Sequence, residues 1–178
     1  MIKYSQVILI CEDRQHSAFA RRFLKKMGDP RIVRSLISPS GVGSAERWVH
    51  ECYVTEVKAH RQASYIKDRA LLVVIDEDTQ STKPRAKSLA DALVAEGVAP
   101  RGKDEAIMLA IPERNIETWL AYLEGADVDP TRSYPKRKRQ RECQPMVDAL
   151  QEMCDRGALR EPAPPSLKTA CVEFTRIS

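Results

Sequence analysis

Leu71-Leu72-Val73-Val74-Ile75 is an unbroken apolar run, three of its five residues β-branched, and Asp76-Glu77-Asp78 follow it without a spacer. A run of this length without alternation fits a strand covered on both faces, as in a parallel sheet with helices above and below it. Side chains two apart on an extended backbone point the same way, so Asp76 and Asp78 are expected to face one spot where the strand ends. Open α/β sheets bind their ligands at that carboxyl edge. Carboxylates so close repel unless a proton or a cation sits among them, and a hard divalent ion is the natural occupant.

The flanking sequence repeats the alternation of strand and helix. Tyr4 to Cys11 reads as a first buried strand that ends at Glu12 and Asp13. From Ser17 to Met27, Ala20, Phe23, Leu24 and Met27 fall at helical spacing, with Arg21, Arg22, Lys25 and Lys26 on the other face. Gly28-Asp29-Pro30 stops that helix, and Arg31 to Ile37 reads as a second strand. The glycine-bearing loop Ser38 to Ser44 leads into a helix predicted from Ala45 to Ile66, striped by Val49, Cys52, Tyr53, Val57 and His60. After the Leu71 strand a helix is expected from Thr82 to near Gly97, with Pro84 in its first turn. A fourth strand, Glu105 to Ile111, and a short helix, Arg114 to Leu123, complete the pattern. The alternation predicts an α/β fold over residues 1–125, a mainly parallel four-stranded sheet flanked by helices. Residues 126–178 read as a basic loop and a small C-terminal helical extension, with helices over Pro145 to Ala158 and Ser166 to Ile177.

Composition narrows the function classes. With 43% hydrophobic and 30% charged residues in 178, the chain is expected to hold a sizeable core and not to be disordered overall. The five cysteines are scattered and odd in number, which is neither a zinc spacing nor a disulfide framework. Reduced thiols, the lack of a long apolar run and an N-terminus without signal-peptide form together predict a cytoplasmic protein with no membrane segment. The net charge of +4 is compatible with nucleic acid without demonstrating it.

Acidic residues follow the strand ends: Glu12 after the first, Asp76 and Asp78 after the third, Glu113 and Glu117 after the fourth. In a parallel sheet these ends share one edge, so residues distant in sequence converge there. Such a cluster suits metal-assisted phosphoryl chemistry, in which one ion activates water while another stabilises the leaving oxygen. The bland alternative is that loops entering helices favour Asp and Glu as caps and dipole partners.

A hydrophobic strand, Glu12 and a helix, then a later hydrophobic strand with Asp76-x-Asp78, resembles the Toprim domain of topoisomerases, primases, RNA-maturing nucleases and overcoming-lysogenization-defect (OLD) nucleases. Pro112-Glu113-Arg114-Asn115-Ile116-Glu117-Thr118-Trp119-Leu120 is similar to the block after the fourth strand in small stand-alone OLD-like Toprim proteins. The resemblance covers Val7 to Leu123, with an echo in Pro165-Ser166-Leu167-Lys168. It implies Glu12 as general acid/base or metal ligand, Asp76 and Asp78 as ligands of Mg2+ (or Mn2+), Glu117 as a further ligand, and Lys168 as a stabiliser of developing charge. The chain departs from the pattern twice. Asp13 stands where a glycine is usual, adding charge and stiffening the turn, and His16 stands where nuclease members place a second acid. Neutral imidazole still binds manganese or zinc, although His16 also reads as an ordinary first-turn polar residue.

Arg114, predicted to share a helix face with Glu117, is a candidate phosphate clamp or a partner of Glu113 or Glu117. Lys136, Arg137, Lys138, Arg139 and Arg141 form a run that either neutralises backbone phosphates or is a solvated loop. The Gly41-Val42-Gly43-Ser44 loop lies where a helix start binds phosphate but lacks the Walker lysine. Trp48 and Trp119 fall in helical stripes and read as packing residues. The expectation is a metal-dependent nuclease acting on DNA or RNA, the effector of a phage-defence system beside an ATPase partner subunit. The alternative is a catalytically inactive Toprim-fold subunit that binds nucleic acid or a partner protein. A phosphoacceptor domain is disfavoured by the doubled Asp76-x-Asp78. Oligomeric state, a homo-oligomer included, stays open.

Overall fold

The computed structural model describes the chain except Val42, residues 64–67, residues 78–81 and Pro130, and gives the backbone alone for Thr82 and Lys83. Four strands, β1 (Gln6–Cys11), β2 (Ile32–Ile37), β3 (Arg69–Val74) and β4 (Ile107–Ala110), form one all-parallel sheet in the order β2-β1-β3-β4. Six helices flank it: α1 (Arg14–Met27), α2 (Ala45–Gln62), α3 (Thr82–Ala95), α4 (Ile116–Leu123), α5 (Gln144–Asp155) and α6 (Pro165–Phe174). The fold is α/β, as the alternation predicts.

The period of two along each strand sorts the core into two layers. Val7, Leu9, Leu72, Val74, Met108 and Ala110 point to one face, where they meet α1, α4, α5 and α6. Ile8, Ile10, Leu71, Val73, Ile107 and Leu109 point to the other, against α2 and α3. The continuous apolar runs therefore follow from cover on both faces. The edge strand β2 is the exception: Ile32 is 51% exposed and none of its six residues is buried.

Residues 126–178 do not stand apart from the sheet. Cys143, Met146, Val147, Leu150, Leu167 and Ala170 belong to the same core cluster as Val7, Leu9 and Leu72. Helix α6 packs on β4, and the Trp119 indole of α4 donates a hydrogen bond to Ser166 Oγ of α6 at 2.9 Å. What reads in sequence as an appended segment contributes to the cover of one sheet face.

Several boundaries differ from the sequence expectation. Helix α2 ends at Gln62 with Ala63 as its C-cap, and residues 64–67 lie outside the described part. Helix α4 starts at Ile116, because Arg114 takes a left-handed φ of 66° and Asn115 is the N-cap. Helix α1 starts at Arg14, since Asp13 caps it. Gly28 after α1 is demanded by close approach: a Cβ there would lie 2.7 Å from Ile2 Cβ and 2.9 Å from Ile2 N. Among the described residues no helix is long and apolar enough to cross a membrane.

Candidate metal centre and adjoining groove

Register brings the first acids together. Cys11 of β1 lies opposite Val74 of β3, so Glu12 comes level with Ile75, one residue before Asp76. Glu12 Oε2 accepts a hydrogen bond from the Asp76 backbone N–H at 3.0 Å, which ties the two strand ends together. Asp13 has φ −146° and ψ 179°, an extended conformation open to any residue, so a glycine is not required at this position. Its carboxylate accepts from the His16 N–H at 2.9 Å, an ordinary N-cap bond.

That cap sets the phase of α1 and turns His16 inward. Its side chain is 1% exposed, and Nε2 lies 2.8 Å from Asp76 Oδ1. Nδ1 stands 3.3 Å from Asp13 Oδ1 without hydrogen-bond alignment, so this buried nitrogen has no hydrogen-bond partner. Burial by itself pulls the imidazole's pKa down. The carboxylate of Asp76, through its charge and hydrogen bond, and then Asp13 and Glu12 reverse this and lift it to about 9. In the metal-free protein Nε2–H therefore donates to Asp76, and the imidazolium is the cation held against the acids.

Glu12, His16 and Asp76 each offer one ligand atom, and the three atoms lie within 4.8 Å of one another. A small divalent cation needs ligands about 2 Å away, a sphere roughly 4 Å across, so a slight contraction closes the set. Asp78 lies outside the described residues. Glu117, in the first turn of α4, is 3% exposed and close enough to be coupled to the group, without belonging to the three-atom cluster. Its carboxyl pKa is raised, first by burial and then by the charge of Asp76, while Lys136 and His16 act the other way.

A groove of about 680 Å³ opens beside this edge. Glu12, Asp13 and Glu117 line it together with Lys136, Arg137 and Gln140, and the loop between β2 and α2 forms another part of its wall. Acid and base thus share one concavity.

The remaining candidates are placed elsewhere. Arg114 donates to the Thr131 carbonyl at 2.9 Å and to Ser133 Oγ at 2.7 Å; its left-handed backbone takes it off any helix face shared with Glu117. It braces the segment after α4 and is not set as a phosphate clamp. Lys168 pairs with Glu161 at 2.8 Å on an exposed turn of α6, not with the strand-end acids. Arg137 lines the groove but makes a two-point ion pair with Glu124. Lys138, Arg139 and Arg141 are exposed and outside the groove lining, whereas Lys136 belongs to it. Trp119 is buried packing, as its stripe predicts, and Trp48 packs at the margin of the other core.

Arg14 and Gln15 of the groove were not legible as candidates. Starting the helix at Ser17 hides them in a presumed loop. The signal was Asp13 three residues before His16, a cap spacing that puts Arg14 and Gln15 in the first helical turn. Comparison of the chain with protein-family models, curated proteins and solved structures finds no match in any of the three.

Proposed function

We propose that this chain is a metal-dependent phosphodiesterase of Toprim type that cleaves DNA or RNA. The observation that carries the reading is the convergence of Glu12, His16 and Asp76 at the carboxyl edge of β1 and β3. Two carboxylates and an imidazole suit a borderline ion better than a hard one, so Mn2+ is favoured over Mg2+ as cofactor. The buried Nε2–H···Oδ1 contact also fits, because a cation entering there replaces a single proton. A divalent ion so held supplies Lewis acidity and charge neutralisation to phosphodiester hydrolysis. Asp76 and His16 hold it, Glu12 contributes a ligand or moves the proton of the attacking water, and Lys136 faces the substrate's phosphates. Asp78 and Glu117 complete the set that the Toprim resemblance implies, and the same resemblance suggests an ATPase partner in phage defence.

The test is Mn2+ binding, followed by calorimetry and by electron paramagnetic resonance, together with cleavage of single- and double-stranded DNA and RNA in Mn2+ or Mg2+. Binding at one site and cleavage that disappears in Asp76→Ala support the reading. No binding by the wild-type chain at neutral pH, and no cleavage with either ion, sinks it.

A second reading has its own observation. An imidazolium buried against Asp76 serves as a built-in cation, and a site neutralised that way no longer needs a metal. In that case the chain is a non-catalytic subunit that binds nucleic acid or a partner protein, and its affinity for nucleic acid is indifferent to chelators.

A further inference from the structure

The groove holds polar groups that the metal centre does not use. Gln15, in the first turn of α1, is 8% exposed and lines the groove, yet its side-chain NH2 is buried with no acceptor from the protein. Two unsatisfied donors at one buried amide are costly unless something outside the chain accepts from them. The start of α2 lines the same groove. Ser44 caps this 18-residue helix by accepting from the Arg47 N–H, which leaves the N–H groups of Ala45 and Glu46 without a helical acceptor. Glu46, the acid of that first turn, is drawn into an ion pair with Arg85. Arg14 and Lys136 also line the groove, and the charge of Lys136 acts on Glu117. Donors and cations from three parts of the chain therefore meet in one concavity beside the carboxylates of Glu12, Asp13 and Glu117, and the complement of the donors is an anion.

Strand order gives its place. The sheet runs β2-β1-β3, so the loop after β2 lies on the side of Glu12 opposite Asp76. Glu12 turns its Oε2 toward β3, onto the Asp76 N–H. The first turn of α2 also stays close to the cluster, because its Glu46 pairs with Arg85, whose Nε donates to the Asp76 carbonyl at 3.0 Å.

We propose that Gln15, the N-terminus of α2 and Lys136 form a phosphoryl-binding subsite next to the acid cluster. Its ligand is a phosphate group carried on a nucleic-acid strand, adjacent to the phosphate at the metal centre. The identity of that ligand as substrate rests on the phosphodiesterase reading; the anion site itself does not. The subsite selects a strand that continues past the cut on one side, and it disfavours a substrate with a single phosphodiester and no neighbouring phosphate.

The test is a titration of metal-free, 15N-labelled full chain with inorganic phosphate and with a 5′-phosphorylated thymidine dinucleotide. The Gln15 side-chain NH2 and the Ala45 backbone amide are expected to shift together and to saturate, the dinucleotide binding more tightly. Lys136→Ala, at an exposed position that leaves folding intact, is expected to weaken binding roughly threefold to tenfold, and Gln15→Leu to weaken it by a similar factor. Shifts that follow Lys136 alone, or no saturating shift at Gln15 and Ala45, overturn the subsite. A parallel Mn2+ titration keeps the two readings apart. Phosphate binding with no Mn2+ binding and no cleavage in either ion sinks the nuclease reading and leaves the subsite standing, while Mn2+ binding without phosphate binding sinks only the subsite.

Discussion

Two acids beside the sheet, one buried and one half-buried, have opposite surroundings. Glu56 of α2 is 7% exposed, and two guanidinium groups close on it, Arg34 Nη2 at 2.6 Å and Arg69 Nη2 at 2.9 Å. Both carboxylate oxygens have a permanent cation, one from β2 and one from β3, and the arrangement fastens α2 to the sheet. At the carboxyl edge the Asp76 carboxylate meets the imidazole of His16 at 2.8 Å, while Arg85 bonds its backbone carbonyl at 3.0 Å, and Glu12, Asp13 and Glu117 are close enough to perturb the same ring or carboxyl. A guanidinium does not surrender its proton in the physiological range, whereas an imidazolium exchanges its own for a metal. The first acid is built to stay as it is. The second is built around a charge that can be exchanged.

The contrast is broken most sharply by removing each acid in turn. Asp76→Ala is expected to lower Mn2+-dependent cleavage by about a thousandfold, while Glu56→Gln leaves the cleavage rate per folded molecule unchanged; single-turnover assays measure both. If the two variants lose activity alike, the distinction between an exchangeable and a permanent charge fails.

Next in size is the pH dependence of the metal-free fold. His16 has a folded pKa of about 9 against an ordinary value of 6.5, so the native state holds a proton that the unfolded chain has lost between those values. Its contribution is complete below pH 6.5 and vanishes as pH rises through 9. Denaturation in chelator should show stability falling by about 3 kcal/mol from the lower pH to the higher, with His16→Asn removing most of that fall. The same proton competes with a cation, so Mn2+ affinity rises over this window as stability falls.

Smaller effects sharpen the comparison from the structural side. Glu56→Ala leaves the half-buried Arg69 without its carboxylate partner and is expected to cost about 2–3 kcal/mol in urea denaturation, with Mn2+ affinity unchanged. Asp13→Ala removes the cap of α1 and is expected to cost about 1 kcal/mol. Because that cap sets the phase of His16, Mn2+ binding should weaken along with it, and Asp13→Asn should restore both.

The architecture was legible because the strands are covered on both faces and the chain writes this as uninterrupted apolar runs. Leu71 to Ile75 marks the centre of the sheet, and Glu12 with Asp76 marks the edge where parallel strands must bring residues together. The role of His16 could not be read in the same way. Whether a first-turn residue points to solvent or to the sheet depends on where the helix begins, and moving the start from Ser17 to Arg14 turns it inward. Arg114 misled for a related reason: a helical spacing to Glu117 has no meaning when the backbone between the fourth strand and α4 passes through a left-handed residue. Lys168 and Arg137 meet acids, Glu161 and Glu124, that no local spacing links to them. The closing of the sheet face by α5 and α6 was equally hidden, since polar and proline-rich stretches separate them from the strands they cover.

The hydrogen bond from Trp119 to Ser166 has a practical consequence. Helix α4 presents Glu117 to the groove two residues before that indole, so the last helix of the chain helps to hold an acid that the first two-thirds of the sequence supplies. A truncation after Leu123 would keep Glu12, Asp76, Asp78 and the 112–120 block and still lose the hydrogen bond that α6 makes to α4. Motif-bearing fragments of this chain are therefore poor surrogates for the whole, and a silent fragment would say nothing about the chemistry of the complete fold.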